Sequence, residues 1–258
     1  MEINGLEEFL VNFNKEHDEL GKIINPILEN YKLPDKEIIE VCQIGKFVYK
    51  LDSCIRIIDK PKPPDPDFII TYQDKLVGLE HTRIYSKDAE YYNRIKSLIG
   101  YSEKLYRAKY PNEKIHAQIS ILNDKMDFKK NEKHKLAEEM AEYIYNFSKD
   151  FNSLRPTFIS KLKTSIHSLV SFTYCEKNWQ SPYLTKERLE VEIHKKENNI
   201  ENYKTGRKDI SNYWLVLFIG SLSSVSYQLD KNIDYAMESK FDKVFLMTDF
   251  EAQIITIK

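Results

Sequence analysis

The chain has 258 residues, with 39 Lys plus Arg against 40 Asp plus Glu and a formal net charge of −1; this excludes a uniformly basic protein held on nucleic acid by bulk charge, though a local basic groove remains compatible. Charged residues make up 31% and apolar residues 41%, the balance of a globular chain rather than a disordered one, and the length suits one large domain or one domain with an inserted subdomain. Glycine is scarce at 7 residues, and neither a Walker-type Gly/Lys loop nor a GxGxxG turn occurs, which removes the commonest phosphate-cradling motifs.

Along the chain, Leu6, Phe9, Leu10 and Phe13 recur at helical spacing and predict a short amphipathic helix over 6–20. Pro34-Asp35 marks a second helix start, and Ile38, Val41, Cys42, Gly45, Val48, Tyr49 and Leu51 predict a helix over 35–51, whose other faces carry Glu37, Glu40 and Lys46. A proline cluster over 61–66 forbids helix and forces an extended entry. Immediately after it, residues 67–72 read as a strand, Gln73-Asp74 as a turn, and residues 75–84 as the partner strand of a hairpin.

The stretch 86–187 is expected to be mainly helical. Tyr92, Ile95, Leu98 and Ile99 give one apolar face, and Leu136, Met140, Tyr143, Ile144 and Phe147 another. Residues 115–122 alternate loosely, as a strand between these helices, and Phe158, Leu162, Ile166 and Leu169 predict a further helix over 157–170. Lys125, Lys129, Lys130, Lys133 and Lys135 read as a solvated loop and helix start. A helix is predicted over 189–203, then nearly continuous apolar strands at 214–219 and 243–248 and a last one at 254–257. Such strands belong to a central sheet covered on both faces. The expected class is therefore α/β (α+β): a mixed central sheet flanked by helices, with a core of about 35–85 and 188–258 and 86–187 inserted.

Two carboxylates stand out. Asp67 opens the first hairpin strand directly after Pro66, and Glu80 lies inside the apolar stretch Val77-Gly78-Leu79-Glu80-His81-Thr82. A carboxylate inside an apolar strand is costly unless compensated, and a hydrated divalent cation is one compensation, since Mg²⁺ takes oxygen ligands from carboxylates and carbonyls. Pro66-Asp67, then Glu80-His81-Thr82 on a hairpin preceded by a helix, resembles the PD-(D/E)XK nuclease superfamily, with its restriction-endonuclease-like fold.

The resemblance implies a metal-dependent nuclease hydrolysing phosphodiester bonds, most naturally in DNA, with water activated on Mg²⁺ or Mn²⁺. It makes Asp67 and Glu80 metal ligands, His81 a ligand through its backbone carbonyl, and Glu40 (or Glu37) an added acidic group from the preceding helix. The superfamily's last motif residue is usually a lysine; here that position holds Thr82. Some members carry the lysine on the following core helix, in a helix-then-strand unit where Ile, Lys and Tyr fall at intervals of three and seven. Ile193, Lys196 and Tyr203 fit that spacing, so Lys196 takes the role, with Lys195 the fallback. Arg83, Arg207 and Lys208 would contact the phosphate backbone, and the inserted middle would bind substrate or a partner, or pair two copies into a homodimer. The rival reading is a non-catalytic nucleic-acid-binding or protein-interaction module on a degenerate nuclease fold. It rests on Thr82, and expects the carboxylates to diverge or to lack a neighbouring lysine.

Other chemistries lack their signatures. The six histidines show no HxH or HExxH spacing, against a zinc hydrolase. No GxSxG elbow occurs, and Ser221, Ser223, Ser224 and Ser226 read as a loop after a strand. Cys42, Cys54 and Cys175 are too few and too scattered for a disulfide framework, so a reducing, cytoplasmic setting is expected. The N-terminal residues lack the layout of a signal peptide, and no apolar run reaches the roughly 20 residues of a membrane helix.

Overall fold

The structure, a computed structural model, describes residues 3–123, 126–176, 181–220 and 225–258, with side chains described from residue 14 onward. Leu6, Phe9, Leu10 and Phe13, Lys125, and Ser221, Ser223 and Ser224 therefore contribute expectations that lie outside the described residues or side chains. The fold is mixed α/β and divides into two compact units, one built from Met1–Ile84, Tyr183–Ser221 and Tyr227–Lys258, the other from Tyr85–Pro182 and Leu222–Ser226.

The first unit is a six-stranded sheet between two helical layers. Its strands are β1 (Arg56–Asp59), β2 (Phe68–Tyr72), β3 (Lys75–Arg83), β7 (Asn212–Ile219), β8 (Lys243–Thr248) and β9 (Ile254–Thr256), in the order β1-β2-β3-β7-β8-β9. β1, β2 and β3 are antiparallel, β3, β7 and β8 run parallel, and β9 returns antiparallel. The β2–β3 hairpin closes through Gln73 and Asp74 at φ 50° and 60°, the two left-handed residues that a tight hairpin turn needs to match the strand twist. β7 is buried along almost its whole length, as a central parallel strand covered on both sides must be.

Helices α1 (Ile3–Asn30) and α2 (Asp35–Leu51) cover one face, where Ile23, Ile27, Ile44, Phe47 and Val48 pack against Phe68, Leu79, Trp214 and Phe245. Helices α5 (Lys186–Glu197) and α6 (Ile200–Gly206) cover the other, where Leu189, Ile193, Ile200 and Tyr203 meet Ile69, Leu215, Leu217 and Leu246. The single helix predicted over 189–203 is thus two, divided at Asn198-Asn199, both poor helix formers whose amides compete for backbone hydrogen bonds. α1 also runs well beyond the predicted 6–20, and carries Pro26 within it.

The second unit carries a sheet beside the helices expected over 86–187. It contains helices α3 (Ala89–Lys109) and α4 (Lys133–Lys149) and a three-stranded sheet, β5 (Ile159–Ile166), β4 (Ile115–Ile121) and β6 (Ser171–Tyr174), in the order β5-β4-β6. The helix predicted over 157–170 is the strand β5 and the turn after it. The spacing of Phe158, Leu162 and Ile166 by four residues is even-numbered, and so satisfies a strand's period of two as well as a helical one. Leu162 is buried, but Ile166 is 97% exposed and Leu169 51% exposed, which a helix packed through these residues would forbid. α3 and α4 cover one side of this sheet through Ile95, Leu98, Met140 and Ile144, against Ile115, Ala117, Ile119 and Ile121.

Candidate active site

Alternation along β3 decides which side chain meets which helical layer. Val77, Leu79 and His81 point to the α1/α2 face, while Gly78, Glu80, Thr82 and Ile84 point to the α5/α6 face. Pro66 enters over Gly78, where an added Cβ would lie 2.8 Å from the Tyr213 ring and 3.0 Å from Pro66 Cγ. Glycine is needed here because the backbone, the ring and the proline share that space. This close approach sets Asp67 beside Glu80, and the Asp67 N–H donates to Glu80 Oε1 at 3.2 Å.

Three elements then converge on Glu80, which is 2% exposed. Lys196, in the last turn of α5, donates from Nζ to Glu80 Oε2 at 2.8 Å, and the same nitrogen lies 3.8 Å from Asp67 Oδ2. Tyr203, from α6, donates its hydroxyl to Glu80 Oε1 at 2.7 Å. Asp67 Oδ2 also accepts from the His81 N–H at 3.0 Å. α5 itself is capped by Thr185, whose hydroxyl oxygen accepts from Arg188 N at 3.2 Å, and its last turn carries His194, Lys195 and Lys196, the charges favoured at the negative end of a helix.

The electrostatics follow from this packing. Burial, and the Asp67 charge beside it, push the Glu80 carboxyl above its usual range, against the lowering influence of Lys196 and Tyr203. Burial works against the Lys196 ammonium, but Glu80 and Asp67 outweigh it and raise its pKa, with Glu40 adding to the field. The Tyr203 hydroxyl is held far above its ordinary value by burial and by Glu80. His81 is pushed down to about 3 by burial and by Lys196, Arg83, Lys60 and Lys36, so its ring is neutral.

On the opposite face His81 joins a hydrogen-bonded relay that runs from the core to the partly exposed Asp249 and Lys46. Its Nε2 meets Gln43 Oε1 at 2.8 Å, and Gln43 Nε2 donates to Asp249 Oδ2 at 2.6 Å. Because the Asp249 carboxylate only accepts, the Gln43 amide is oriented, and His81 must carry its proton on Nε2. Lys46 closes the relay on Asp249.

Of the site residues expected from the sequence, Asp67, Glu80 and Lys196 are brought together. Lys195 is not: it pairs with Glu192 at 2.8 Å and is largely exposed. Glu40 is held by Lys60 at 3.6 Å and Lys36 at 3.8 Å, so it acts on the site through its charge rather than through contact with the two carboxylates. The Thr82 hydroxyl donates to the His81 carbonyl at 2.8 Å, the oxygen expected to face a metal. Arg207 is engaged by Asp209 at 2.8 and 2.9 Å and by Asp65 at 3.5 Å, which raises its pKa further and commits its charge within the fold; Lys208 is exposed. Gln43 and Asp249 were not anticipated. The one available signal was a glutamine inside the apolar run Val41-Cys42-Gln43-Ile44.

Among the described residues no group of three or more His, Cys, Asp and Glu side chains is gathered to hold a metal. Asp67 and Glu80 nevertheless fit a hydrated Mg²⁺, which is bound through one or two carboxylates and keeps its remaining waters. Both place an oxygen within 3.8 Å of a single cationic nitrogen. Asp67, with its side chain 35% exposed, opens the pair to solvent. Among the described residues no helix is long and apolar enough to cross a membrane. No protein-family model, curated protein or solved structure matches this chain.

Proposed function

We propose that the protein is a metal-dependent nuclease of the PD-(D/E)XK type, hydrolysing phosphodiester bonds, in DNA by preference, with Mg²⁺ or Mn²⁺ held by Asp67, Glu80 and the His81 carbonyl. The observation that carries the reading is Lys196, which leaves a separate helix to set its ammonium 2.8 Å from Glu80 and 3.8 Å from Asp67. It supplies the cation that Thr82 lacks, and the rival reading of a non-catalytic module expects no such lysine.

When bound, the metal supplies a water of lowered pKa and positive charge beside the scissile phosphate. The residues of the chain do the rest. Glu80, fixed by Tyr203 and by the Asp67 N–H, is a carboxylate that cannot rotate away. Lys196, with its pKa raised, stays protonated at neutral pH. It therefore serves as a donor and fixed charge that orients water and steadies a charged phosphate, not as a base. The exposed side of Asp67 is where substrate reaches the site.

The test incubates purified protein with plasmid, linear and single-stranded DNA in Mg²⁺, Mn²⁺ or EDTA, beside Asp67→Ala and Glu80→Ala. Metal-dependent cleavage by the wild type that both variants lose is the expected result. Cleavage that persists in either variant, or is absent from the wild type under every metal, sinks the assignment.

A further inference from the structure

The sheet of the second unit has one covered face and one open face. The odd-numbered residues of β4 are buried under α3 and α4, so His116, Gln118 and Ser120 point the other way. The registers place Ser165, Lys163 and Lys161 of β5 directly beside them, and Ser171 and Thr173 of β6 on the other flank. Lys161, Lys163, Gln118, Ser165 and Thr173 are exposed.

None of the three strands contains an Asp or Glu, and none occurs anywhere from Phe151 to Cys175, in a chain where 40 of 258 residues are acidic. Among the described residues neither Lys161 nor Lys163 has a carboxylate partner. On the helical side of the same unit acidic partners are present. There Lys109 pairs with Glu142, Lys149 with Glu113 at 2.8 Å, and Arg107 with Glu103 at 2.6 Å. Carboxylates are interspersed with the cations on the helical side of this unit, whereas the open face carries Lys161 and Lys163 with none beside them.

We infer that the open face of β5-β4-β6 is a docking surface for the phosphate backbone of duplex nucleic acid. The choice of polyanion rests on the nuclease reading; the surface itself rests on its own chemistry. Hydroxyls, an amide and ammonium groups are the donors that contact phosphate oxygens without reading sequence. Lys161 and Lys163, two residues apart on one strand, stand roughly 7 Å apart, a separation that reaches two phosphates of one strand. The outward positions of the three strands hold no Phe, Tyr or Trp, since Phe172 and Tyr174 pack inward. The surface therefore lacks the stacking platforms on which single strands are held, which favours the duplex.

The experiment measures binding of the full chain to a short fluorescent duplex by anisotropy, in EDTA, over a series of salt concentrations. The variants are Lys161→Ala/Lys163→Ala and, as a charge-matched control, Lys109→Ala/Lys149→Ala. Removing two phosphate contacts is expected to weaken binding and to lower the slope of log affinity against log salt by about 2, with the control close to wild type. A wild type that does not bind, an unchanged slope in the β5 variant, or an equal fall in the control overturns the inference. The nuclease reading is judged separately by cleavage in Mg²⁺. Cleavage with β5-independent binding rejects only this surface, and β5-dependent binding without cleavage rejects only the nuclease.

Discussion

On the proposed nuclease reading, Lys196 and Thr82 define the chemistry at the scale of single residues. Glu80 and Thr82 are two apart on β3 and face the same helical layer, so a lysine at 82 and a lysine from α5 are alternative ways of bringing one ammonium to one carboxylate. Lys196→Ala is expected to lower kcat by about 10²–10³-fold, the usual consequence of removing a donor aimed at developing charge. It also removes the influence that holds the Glu80 pKa down, so the acidic limb of the rate–pH profile moves to higher pH. Adding Thr82→Lys to Lys196→Ala should recover part of the loss and bring that limb back. A Lys196→Ala enzyme with unchanged kcat and pH profile would remove the lysine from the reaction. Single residues also show where the sequence was hardest to read. In α2 the helical spacing puts Cys42 on the apolar side, yet Cys42 is exposed and its neighbour Gln43 is buried. The glutamine is tolerated inside because both ends of its amide are satisfied, by His81 and Asp249, and Asp249 lies 206 residues away, beyond anything local pattern reveals.

At the scale of elements, the β2–β3 hairpin and the strands β7 and β8 were legible, because their apolar runs are short, β-branched or aromatic, and bounded by turn residues. β1 was missed: at four residues on a sheet edge, with Arg56 and Asp59 at its ends, it carries almost no pattern. The division between α5 and α6 was also missed, and it matters for the site. In an unbroken helix Lys196 and Tyr203 would be separated by roughly 10.5 Å of rise, yet both hydrogen-bond to Glu80. The break at Asn198-Asn199 lets two successive helices close on one carboxylate. On the strand side the corresponding device is Gly78. Gly78→Ala places a Cβ against the Tyr213 ring and Pro66, an overpacking that costs about 1–3 kcal/mol. Because Pro66 carries Asp67 with it, the variant should lose stability by urea denaturation and also lose metal-dependent cleavage out of proportion to the unfolded fraction. If the variant is folded and cleaves at the wild-type rate, Pro66 and Gly78 do not position Asp67.

For the whole molecule, the sequence indicated a mixed sheet covered by helices on both faces, because nearly continuous apolar strands are buried twice over. It did not indicate that the second unit carries a sheet of its own, since β5 alternates Lys161, Lys163 and Ser165 with residues that also fit a helix. The stability of the molecule and the charge of its site are linked. Glu80 has a raised pKa in the folded chain. A raised carboxyl contributes stability that is complete below its ordinary value and is lost as pH rises through the folded value. Lys196 stays protonated throughout that window. In EDTA, therefore, this group lowers Tm as pH climbs from the carboxylate range to neutrality. If the proposed site takes Mg²⁺, adding the ion should oppose the loss: at 100 times its Kd a ligand of the folded state alone contributes about 2.7 kcal/mol, which corresponds to a rise in Tm of roughly 5–10 °C for a chain of this size. The rise should shrink at acid pH, where the proton competes for Glu80. Asp67→Asn keeps an oxygen for the His81 N–H but removes the like charge beside Glu80. In EDTA at neutral pH its Tm should equal or exceed the wild type's, and Mg²⁺ should no longer raise it. A Mg²⁺ shift of the same size in Asp67→Asn, measured by scanning calorimetry, would place the cation elsewhere and separate this pair of carboxylates from metal binding.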